Sequence, residues 1–248
     1  MIVIKSEKDL GKMKEAGRIL ARVMNKVNEI IRVGISTIEI DNLARDFIKQ
    51  ENVTPAFLGY RGYPAAICAS VNEEVVHGIP CKRKLSEGDI ISLDLGIKHE
   101  DFFSDIAVTV GVGKIDPRAK KLIQVTMDSL REGIKAAKPG NHIGDISSAI
   151  QLYIEGNSFS VVRQFVGHGI GRNLHEEPEL PNFGRQGNGE ILKPGMVIAI
   201  EPMVNMGTWE CEILDDGWTA VTKDKKLSAH FEHTVAITEQ GPEVLTKL

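Results

Sequence analysis

The chain has 248 residues and a mass of 27.2 kDa, which is enough for one large α/β domain or two small ones. Its 30 Lys and Arg against 34 Asp and Glu give a formal net charge of −4, which argues against a surface for DNA. Three widely spaced cysteines argue against a disulfide framework or a zinc knuckle and favour a reducing cytoplasm. Neither a secretory signal nor an apolar stretch near the roughly 20 residues of a membrane span is found, so no membrane partner is expected.

The first half of the chain predicts two helices followed by strands. Ser6-x-x-Asp9 is an N-capping pattern, and apolar residues at helical spacing predict a first helix that continues until Gly34. A second capping box, Ser36-x-x-Glu39, begins the second helix. Strands are predicted at 67–71 and 90–95, with Pro- and Gly-containing turns between them.

The second half predicts two more helices and three strands. Asp116-Pro117 places a capping residue before proline and begins a third helix, which ends at Pro139-Gly140. A fourth helix is predicted from about Ile143 to Tyr153. Strands are then predicted at 161–166, 197–201 and 231–237.

Two segments of the first half return in the second half with similar pattern and spacing. Residues 33–36 match residues 139–142, and residues 85–94 match residues 192–201. We interpret this as an internal duplication with halves at about 1–112 and 113–248, in which Asp94 and Glu201 are equivalent. Chance similarity between two glycine-turn and strand units is the alternative.

Four acidic residues lie in or beside apolar, strand-like runs that contain no Lys or Arg: Asp94, Asp105, Glu201 and Glu232. Carboxylates in such runs are rarely buried without a partner, because desolvating a lone charge costs several kcal/mol. A metal is a more economical partner than four separate ion pairs. The oxygen-rich set, with one His, suits Mn, Fe, Co or Zn in a catalytic role.

The pairing of two of these runs gives a geometric prediction. If 90–95 and 103–110 form a hairpin around His99-Glu100, Asp94 and Asp105 lie directly opposite, about 5 Å apart. Two carboxylates at that separation repel each other unless a cation lies between them. The pairing therefore predicts a metal clamp.

A glycine-rich segment, 167–178, carries two imidazoles seven residues apart, His168 and His175. Glycines at 167, 169 and 171 remove side chains around His168, so that a ligand or metal can approach the backbone closely. A loop whose histidines only satisfy hydrogen bonds is the alternative. The four carboxylates elsewhere in the chain favour the chemical interpretation.

Over nearly its full length, the chain resembles the type I methionine aminopeptidases. The resemblance rests on the ordered motifs 59–64, 70–73, 76–80, Asp94, 104–105, 167–178, 201–203 and 231–234. It implies the pita-bread α/β fold, a single catalytic domain over 1–248 in which a curved antiparallel sheet is backed by helices. The 33-residue gap between His168 and Glu201 is too short for the type II insertion, and no zinc-binding extension precedes the domain, so a bacterial form is expected.

The activity implied by the resemblance is metal-dependent removal of the initiator methionine from nascent proteins whose second residue is small. Two divalent ions (Co, Mn, Fe or Zn) are implied, with a bridging water or hydroxide that attacks the carbonyl. In the implied ligand set Asp94 chelates one ion, Asp105 and Glu232 bridge both, and His168 and Glu201 complete the other. Glu201 is then the candidate that moves the proton of the water, His175 is expected to hydrogen-bond the oxyanion, and His77 is expected to contact the scissile amide nitrogen or steady its environment.

The methionine side chain is expected in an apolar slot, which suits an unbranched thioether. The resemblance places in this slot Phe57, Tyr60, Tyr63, Cys68, Leu174 and Trp218, with His77 at its edge. Asn72 and Ser228 are expected to contribute to a site for a monovalent cation, Na or K.

The other four histidines, His99, His142, His230 and His233, are expected to be structural or exposed to solvent. Strand alternation is expected to direct His230 and His233 to the face opposite Glu232. The Lys223–Lys226 run is expected to be a solvated turn that suits a transient ribosome contact. N-terminal Met peptides and nascent chains are the expected partners of a cytoplasmic monomer.

Two alternatives remain open from the sequence. Other pita-bread enzymes, such as X-Pro peptidases and creatine-type amidinohydrolases, share these ligands but usually carry a long N-terminal domain. A non-catalytic pita-bread binding module lacks some ligands. All five ligand positions, His77 and His175 are present, which favours the enzyme.

Overall fold

The computed structural model describes residues 1–247, which contain four α-helices, one 3-10 turn and fifteen strands. The helices are α1 (Glu7–Glu29), α2 (Thr37–Gln50), α3 (Pro117–Ala136) and α4 (Ile143–Gly156), and the 3-10 turn is Tyr60–Gly62. The strands of the first half are β1 (Thr54–Pro55), β2 (Ile67–Val71), β3 (Glu74–Val76), β4 (Ile90–His99) and β5 (Phe102–Gly111). Those of the second half are β6 (Ser160–Val161), β7 (Gly167–Gly169), β8 (Glu176–Leu180), β9 (Val197–Ile200), β10 (Met203–Asn205), β11 (Cys211–Ile213), β12 (Ala220–Thr222), β13 (Ser228–His230), β14 (Glu232–Thr238) and β15 (Gly241–Val244).

The helices begin where the capping residues predict. Ser6 and Ser36 each accept a hydrogen bond from the backbone N–H three residues later, and the acidic residue there bonds back. Asp116 accepts from Arg118 N before α3, with Pro117 as the first helical residue. The predicted end of α1 is wrong by several residues, because the helix ends at Glu29 and the chain then turns toward Gly34. None of the helices within residues 1–247 is long and apolar enough to cross a membrane.

Nine strands form one antiparallel, curled sheet with the order β1-β4-β5-β14-β9-β7-β8, in which β2 also pairs with β4 and β15 with β14. Two small sheets, β13-β10-β6 and β11-β12-β3, cover part of it. One apolar core packs α1 and α2 against β2, β4 and β5. A second core packs α3 and α4 against β9 and β14.

Strand alternation separates the core from the acidic residues. On β4 the odd-numbered residues Ile91 to Ile97 pack against α1 and α2, so Asp94 lies on the other face. On β14 Val235 and Ile237 pack against α3 and α4, and Glu232 has the opposite parity. The helices therefore cover one face of the sheet, and the carboxylates lie on the other.

The two halves of the chain make matching long-range contacts. Isolated bridges join Ser36 to Lys84 and His142 to Ile191, and these pairs are separated by nearly the spacing of the repeated segments. Strands β5 and β14 pair at the middle of the sheet, with β4 and β9 outside them. The duplication itself, and its boundary near residue 112, stays a prediction.

The predicted register of the β4–β5 hairpin is wrong by two residues. Asp94 lies opposite Ala107, and Asp105 lies opposite Gly96. The turn is Glu100-Asp101, whose φ values of 43° and 70° are those of the two-residue turn that matches the twist of a hairpin. Asp94 and Asp105 are therefore diagonal neighbours on one face, and they are not directly opposite each other.

The predicted strand at 161–166 is also wrong. Only Ser160–Val161 is a strand, and the chain leaves the small sheet after Val162, whose N–H donates to Met203 O. It enters the large sheet at Gly167. The β-branched run gave no sign that the chain crosses between sheets, and residues 164–166 line the cavity described below.

Two glycines of α1 provide a matched test of its packing. Gly17 faces the C-terminal segment, and a Cβ there would overlap Leu245 O, whereas a Cβ at Gly11 would meet nothing within 4 Å. Gly17→Ala should lower the free energy of unfolding by about 1–3 kcal/mol. Gly11→Ala should raise it by about 0.5–1 kcal/mol, because alanine favours the helix. Denaturant titrations of both variants check this, and equal stability of the two would contradict the packing described.

Candidate metal centre and active site

Four neighbouring strands each bring one carboxylate to the same face of the sheet. Asp94 is on β4, Asp105 on β5 and Glu232 on β14, and Glu201 directly follows β9. Asp105 and Glu232 are 4% and 2% exposed, whereas Asp94 and Glu201 are less deeply buried. The predicted convergence of the four runs therefore follows from the strand order.

The group has the chemistry of a metal site. A carboxylate oxygen of Asp105, one of Glu232 and a ring nitrogen of His168 lie within 4.8 Å of one another. His168 Nε2 is 3.6 Å from Glu201 Oε1. Asp94 Oδ1 and Glu232 Oε1 are buried without a hydrogen-bond partner among residues 1–247. Because an unpartnered buried carboxylate oxygen is costly, these residues fit divalent cations.

The carboxylates have strongly perturbed pKa values. Burial raises the pKa of Asp105 to about 7. Burial, together with the neighbouring Asp105, raises the pKa of Asp94, Glu201 and Glu232 well above their usual range. In the part of the chain that the structure describes, the ion-pair partners of these groups are imidazoles near Glu201, not Lys or Arg.

The backbone fixes the tautomer of His168. Its Nδ1 lies 2.9 Å from Gly169 O, and a carbonyl oxygen only accepts, so Nδ1 carries the proton. The lone pair of Nε2 is then available on the side of Glu201. Burial lowers the pKa of His168 to about 4, so the imidazole is neutral at neutral pH.

The glycines around His168 have a different role from the predicted one. A Cβ at Gly167 would overlap Ala199 O, and a Cβ at Gly169 would overlap Glu177 O. These neighbours belong to the strands on either side of β7. The glycines therefore allow the backbones of β9 and the 176–180 strand to approach β7, and close approach of a metal to the backbone is not their reason.

A cavity of about 280 Å³ opens beside the carboxylates. Its lining includes all seven residues expected in or at the edge of the methionine slot: Phe57, Tyr60, Tyr63, Cys68, Leu174, Trp218 and His77. Arg61, Gln164 and Phe165 also line it and were missed. Arg61 lay within a recognised motif, whereas the other two lay in a segment mistaken for a regular strand.

His77 and His175 both face this cavity. Burial lowers the pKa of His77, which packs edge-on against Phe165 with ring centroids 5.7 Å apart. Its φ of 60° is uncommon for a residue with a Cβ and marks a locally strained backbone. The His175 ring lies 4.2 Å from that of His168, and desolvation and this neighbour lower the pKa of His175.

The predicted direction of the His230 side chain is wrong. His230 is 1% exposed, its Nε2 lies 3.6 Å from Glu201 Oε2, and neither ring nitrogen has a hydrogen-bond partner among residues 1–247. Residues 230 and 232 have the same parity, so alternation keeps them on one face, and Phe231 separates β13 from β14. His233 does lie on the other face, where Nδ1 contacts Thr246 Oγ1 at 2.9 Å.

The structure also gives the surroundings of two other histidines and of the two residues expected at a monovalent-cation site. The backbone N–H of His142 donates to Asp145 at the start of α4, and His99 ends β4. Ser228 N–H donates to Asn72 O at 2.9 Å, so the two residues expected at a monovalent-cation site are adjacent. The cation itself stays a prediction.

An antiparallel sheet that brings four carboxylates and an imidazole together beside an apolar cavity defines a metal-dependent hydrolase. The sequence pattern of metallopeptidase family M24 matches residues 11–239. The chain is 53% identical to a methionine aminopeptidase of Clostridium perfringens over 99% of both chains. It is 51% identical to methionine aminopeptidase 1 of Bacillus subtilis over 100% of both.

Solved structures agree with this similarity. The methionine aminopeptidase of Thermotoga maritima superposes with a TM-score of 0.98 at 48% identity over 100% of both chains. The prolidase of Pyrococcus furiosus shares the fold alone, with a TM-score of 0.80 at 23% identity over 99% of this chain and 66% of the prolidase. The chain belongs to metallopeptidase family M24. The predicted resemblance to methionine aminopeptidases and the predicted pita-bread fold are confirmed.

Metal binding should release protons. Their raised pKa values make these carboxylates bind protons more readily than free carboxyl groups do, whereas metal ligation requires the ionised form. The apparent affinity for Mn²⁺ should therefore rise with pH between about 6 and 8. Calorimetric titrations at pH 7 in PIPES and in Tris should give different enthalpies, because the buffers take up the released protons with different heats. Equal enthalpies would contradict the predicted proton release.

Proposed function

We propose that this chain removes the N-terminal methionine from peptides and nascent proteins whose second residue is small, with the aid of two divalent metal ions. One observation carries the proposal: the unpartnered carboxylates open directly onto an apolar, aromatic-walled cavity of about 280 Å³. Such a cavity accepts one side chain and places its backbone beside the metal ligands. The similarity to methionine aminopeptidases extends over the whole chain.

The strand order supports different roles for the proposed metal ligands. Asp105 and Glu232 come from β5 and β14, which pair at the middle of the sheet, so these two residues would be shared by both ions. Asp94 on β4 would hold one ion, and Glu201 and His168 on the opposite side would hold the other. Such ions would supply the chemistry that activates a water as nucleophile and polarises the carbonyl of the first residue.

Glu201 is the residue that moves the proton of the attacking water. It lies at the edge of the ligand group, where one carboxylate oxygen is 3.6 Å from His168 and the other 3.6 Å from His230. It also lines the cavity, so it can pass the proton to the departing amine. His175 hydrogen-bonds the developing oxyanion, and His77 contacts the scissile amide nitrogen.

The slot selects methionine by shape and by polarisability. Tyr63 and Trp218 pack edge-on with ring centroids 5.1 Å apart, and together they form a rigid aromatic wall. Burial raises the pKa of the Cys68 thiol, which keeps the sulfur uncharged and suited to packing against a thioether. The free α-amine of the substrate binds near the ion held by Asp94, which limits the enzyme to chain ends.

Other parts of the expected biology have no structural counterpart to test them. Cytoplasmic location, a monomeric state and a ribosome contact through Lys223–Lys226 stay predictions. The same holds for the identity of the metals and for a monovalent cation at Asn72 and Ser228.

Release of free methionine from Met-Ala-Ser and Met-Leu-Ser tests the reaction, the cofactor and the specificity together. Metal-stripped protein should release no methionine from either peptide. Protein reloaded with Co²⁺ or Mn²⁺ should cleave Met-Ala-Ser about tenfold or more faster than Met-Leu-Ser. No release from either peptide by fully loaded protein would overturn the proposal. Release from Met-Leu-Ser alone would contradict the proposed specificity.

Substitutions of two proposed ligands should abolish turnover without unfolding the chain. Glu201→Ala and His168→Ala should lower kcat by about 10²–10⁴-fold or more, because proton transfer and a metal ligand are lost. Glu239, an exposed residue of the β14–β15 turn, provides the control, since Glu239→Ala leaves the site intact. Circular dichroism and thermal melts verify folding. Activity retained in either ligand variant would contradict the metal assignment.

A further inference from the structure

The side chain of Tyr60 contacts the ring of His175 across the cavity. The Tyr60 hydroxyl oxygen lies 2.8 Å from His175 Nδ1, and the two rings stack with centroids 5.3 Å apart at 23°. Tyr60 comes from the first half of the chain and His175 from the second. Among residues 1–247, the His175 nitrogen is the only hydrogen-bond partner of this hydroxyl.

Backbone conformation and two hydrogen bonds fix the loop that carries Tyr60. Gly59, Arg61 and Gly62 have φ values of 81°, 49° and 89°, so the chain reverses around Tyr60 in a conformation that few sequences adopt. Gly59 N–H donates to Tyr63 O at 2.8 Å and closes the loop. The Tyr63 hydroxyl donates to Gly78 O at 3.0 Å and attaches the loop to the neighbouring segment. The position of the Tyr60 hydroxyl is therefore set before any substrate binds.

The chemistry of the two groups decides which one donates. A phenolic O–H is a stronger acid than the N–H of a neutral imidazole, and an unprotonated imidazole nitrogen is a good acceptor. The favoured arrangement is therefore O–H to Nδ1, which leaves the ring proton on Nε2. Since Nδ1 is occupied by Tyr60, Nε2 is the nitrogen left to meet a substrate.

We infer that Tyr60 is a positioning residue for His175, whose hydroxyl fixes the tautomer with the proton on Nε2. The inference rests on the proposed function, in which His175 donates a hydrogen bond to the oxyanion. His168 shows the opposite case, because its Nδ1 donates to Gly169 O and its Nε2 is left unprotonated. Two imidazoles 4.2 Å apart are thus held in opposite tautomers, one as an acceptor for metal and one as a donor for substrate.

A double-mutant experiment separates this role from simple lining of the cavity. Tyr60→Phe keeps the stacked ring and removes only the hydroxyl, so kcat should fall by about tenfold with KM changed less than about twofold. In the His175→Ala background the same substitution should change kcat by less than about twofold, because the residue it acts through is gone. Equal losses in both backgrounds would overturn the inference.

Two further tyrosines provide controls. Tyr63→Phe removes a hydroxyl that contacts backbone carbonyls of the same cavity wall, so its effect should be the same with and without His175. Tyr153→Phe removes a hydroxyl that faces Asp128 on the helical side, and it should leave kcat unchanged. A Tyr63 effect that disappears with His175 would show that any hydroxyl change in the cavity gives the Tyr60 result, and would overturn the inference.

The tautomer can be observed directly, without turnover. In zinc-loaded protein labelled with ¹⁵N-histidine, long-range ¹H–¹⁵N spectra should show His175 with an unprotonated Nδ1 and a protonated Nε2. Tyr60→Phe should convert this pattern into a mixture of tautomers. A proton on Nδ1 in the unmodified protein, or an unchanged pattern in Tyr60→Phe, would overturn the inference. Full activity of His175→Ala would instead contradict the proposed role of His175, and the spectra would then decide the Tyr60 contact alone.

Discussion

The constraint that the rest of the structure has to accommodate is the mutual repulsion of four carboxylates on one enclosed face of the sheet. Burial and proximity raise the pKa of each, and no lysine or arginine within residues 1–247 forms an ion pair with them. In the metal-free protein this arrangement is destabilising above neutral pH, because ionised groups are then held together. Bound cations would make the contribution of the ionised carboxylates to stability favourable. The same repulsion that destabilises the ionised carboxylates therefore favours the binding of a cation.

The fold tolerates this cost because the apolar cores lie on the other face. Two helix pairs cover the sheet there, with separate cores for the first and second halves of the chain. Strand alternation then directs the acidic residues away from both cores. The pairing of β5 with β14 at the middle of the sheet places Asp105 close to Glu232, so the N-terminal and C-terminal parts of the chain each supply one of these two carboxylates.

The sequence predicted the features that depend on local rules. Capping residues marked the starts of α1, α2 and α3, and apolar runs without Lys or Arg marked the strands that carry the four carboxylates. The wrong predictions concern features that the local residue types do not decide. The β4–β5 turn could form at two neighbouring places, and only its fit to the twisted hairpin selected Glu100-Asp101. The segment 163–166 looked like a strand because its residue types suit one, but the chain there passes from one sheet to another.

Histidine chemistry shows most clearly what the sequence leaves undetermined. His168 and His175 belong to one motif and were both recognised, but a motif does not say which ring nitrogen carries a proton. That depends on whether Nδ1 meets a carbonyl oxygen, as in His168, or a hydroxyl, as in His175. The hydroxyl comes from Tyr60, which is far from His175 in the sequence and was expected only to line the methionine slot. Which ring nitrogen of each imidazole carries the proton is thus a property of the assembled fold, because segments far apart in the sequence supply the groups that contact the two rings.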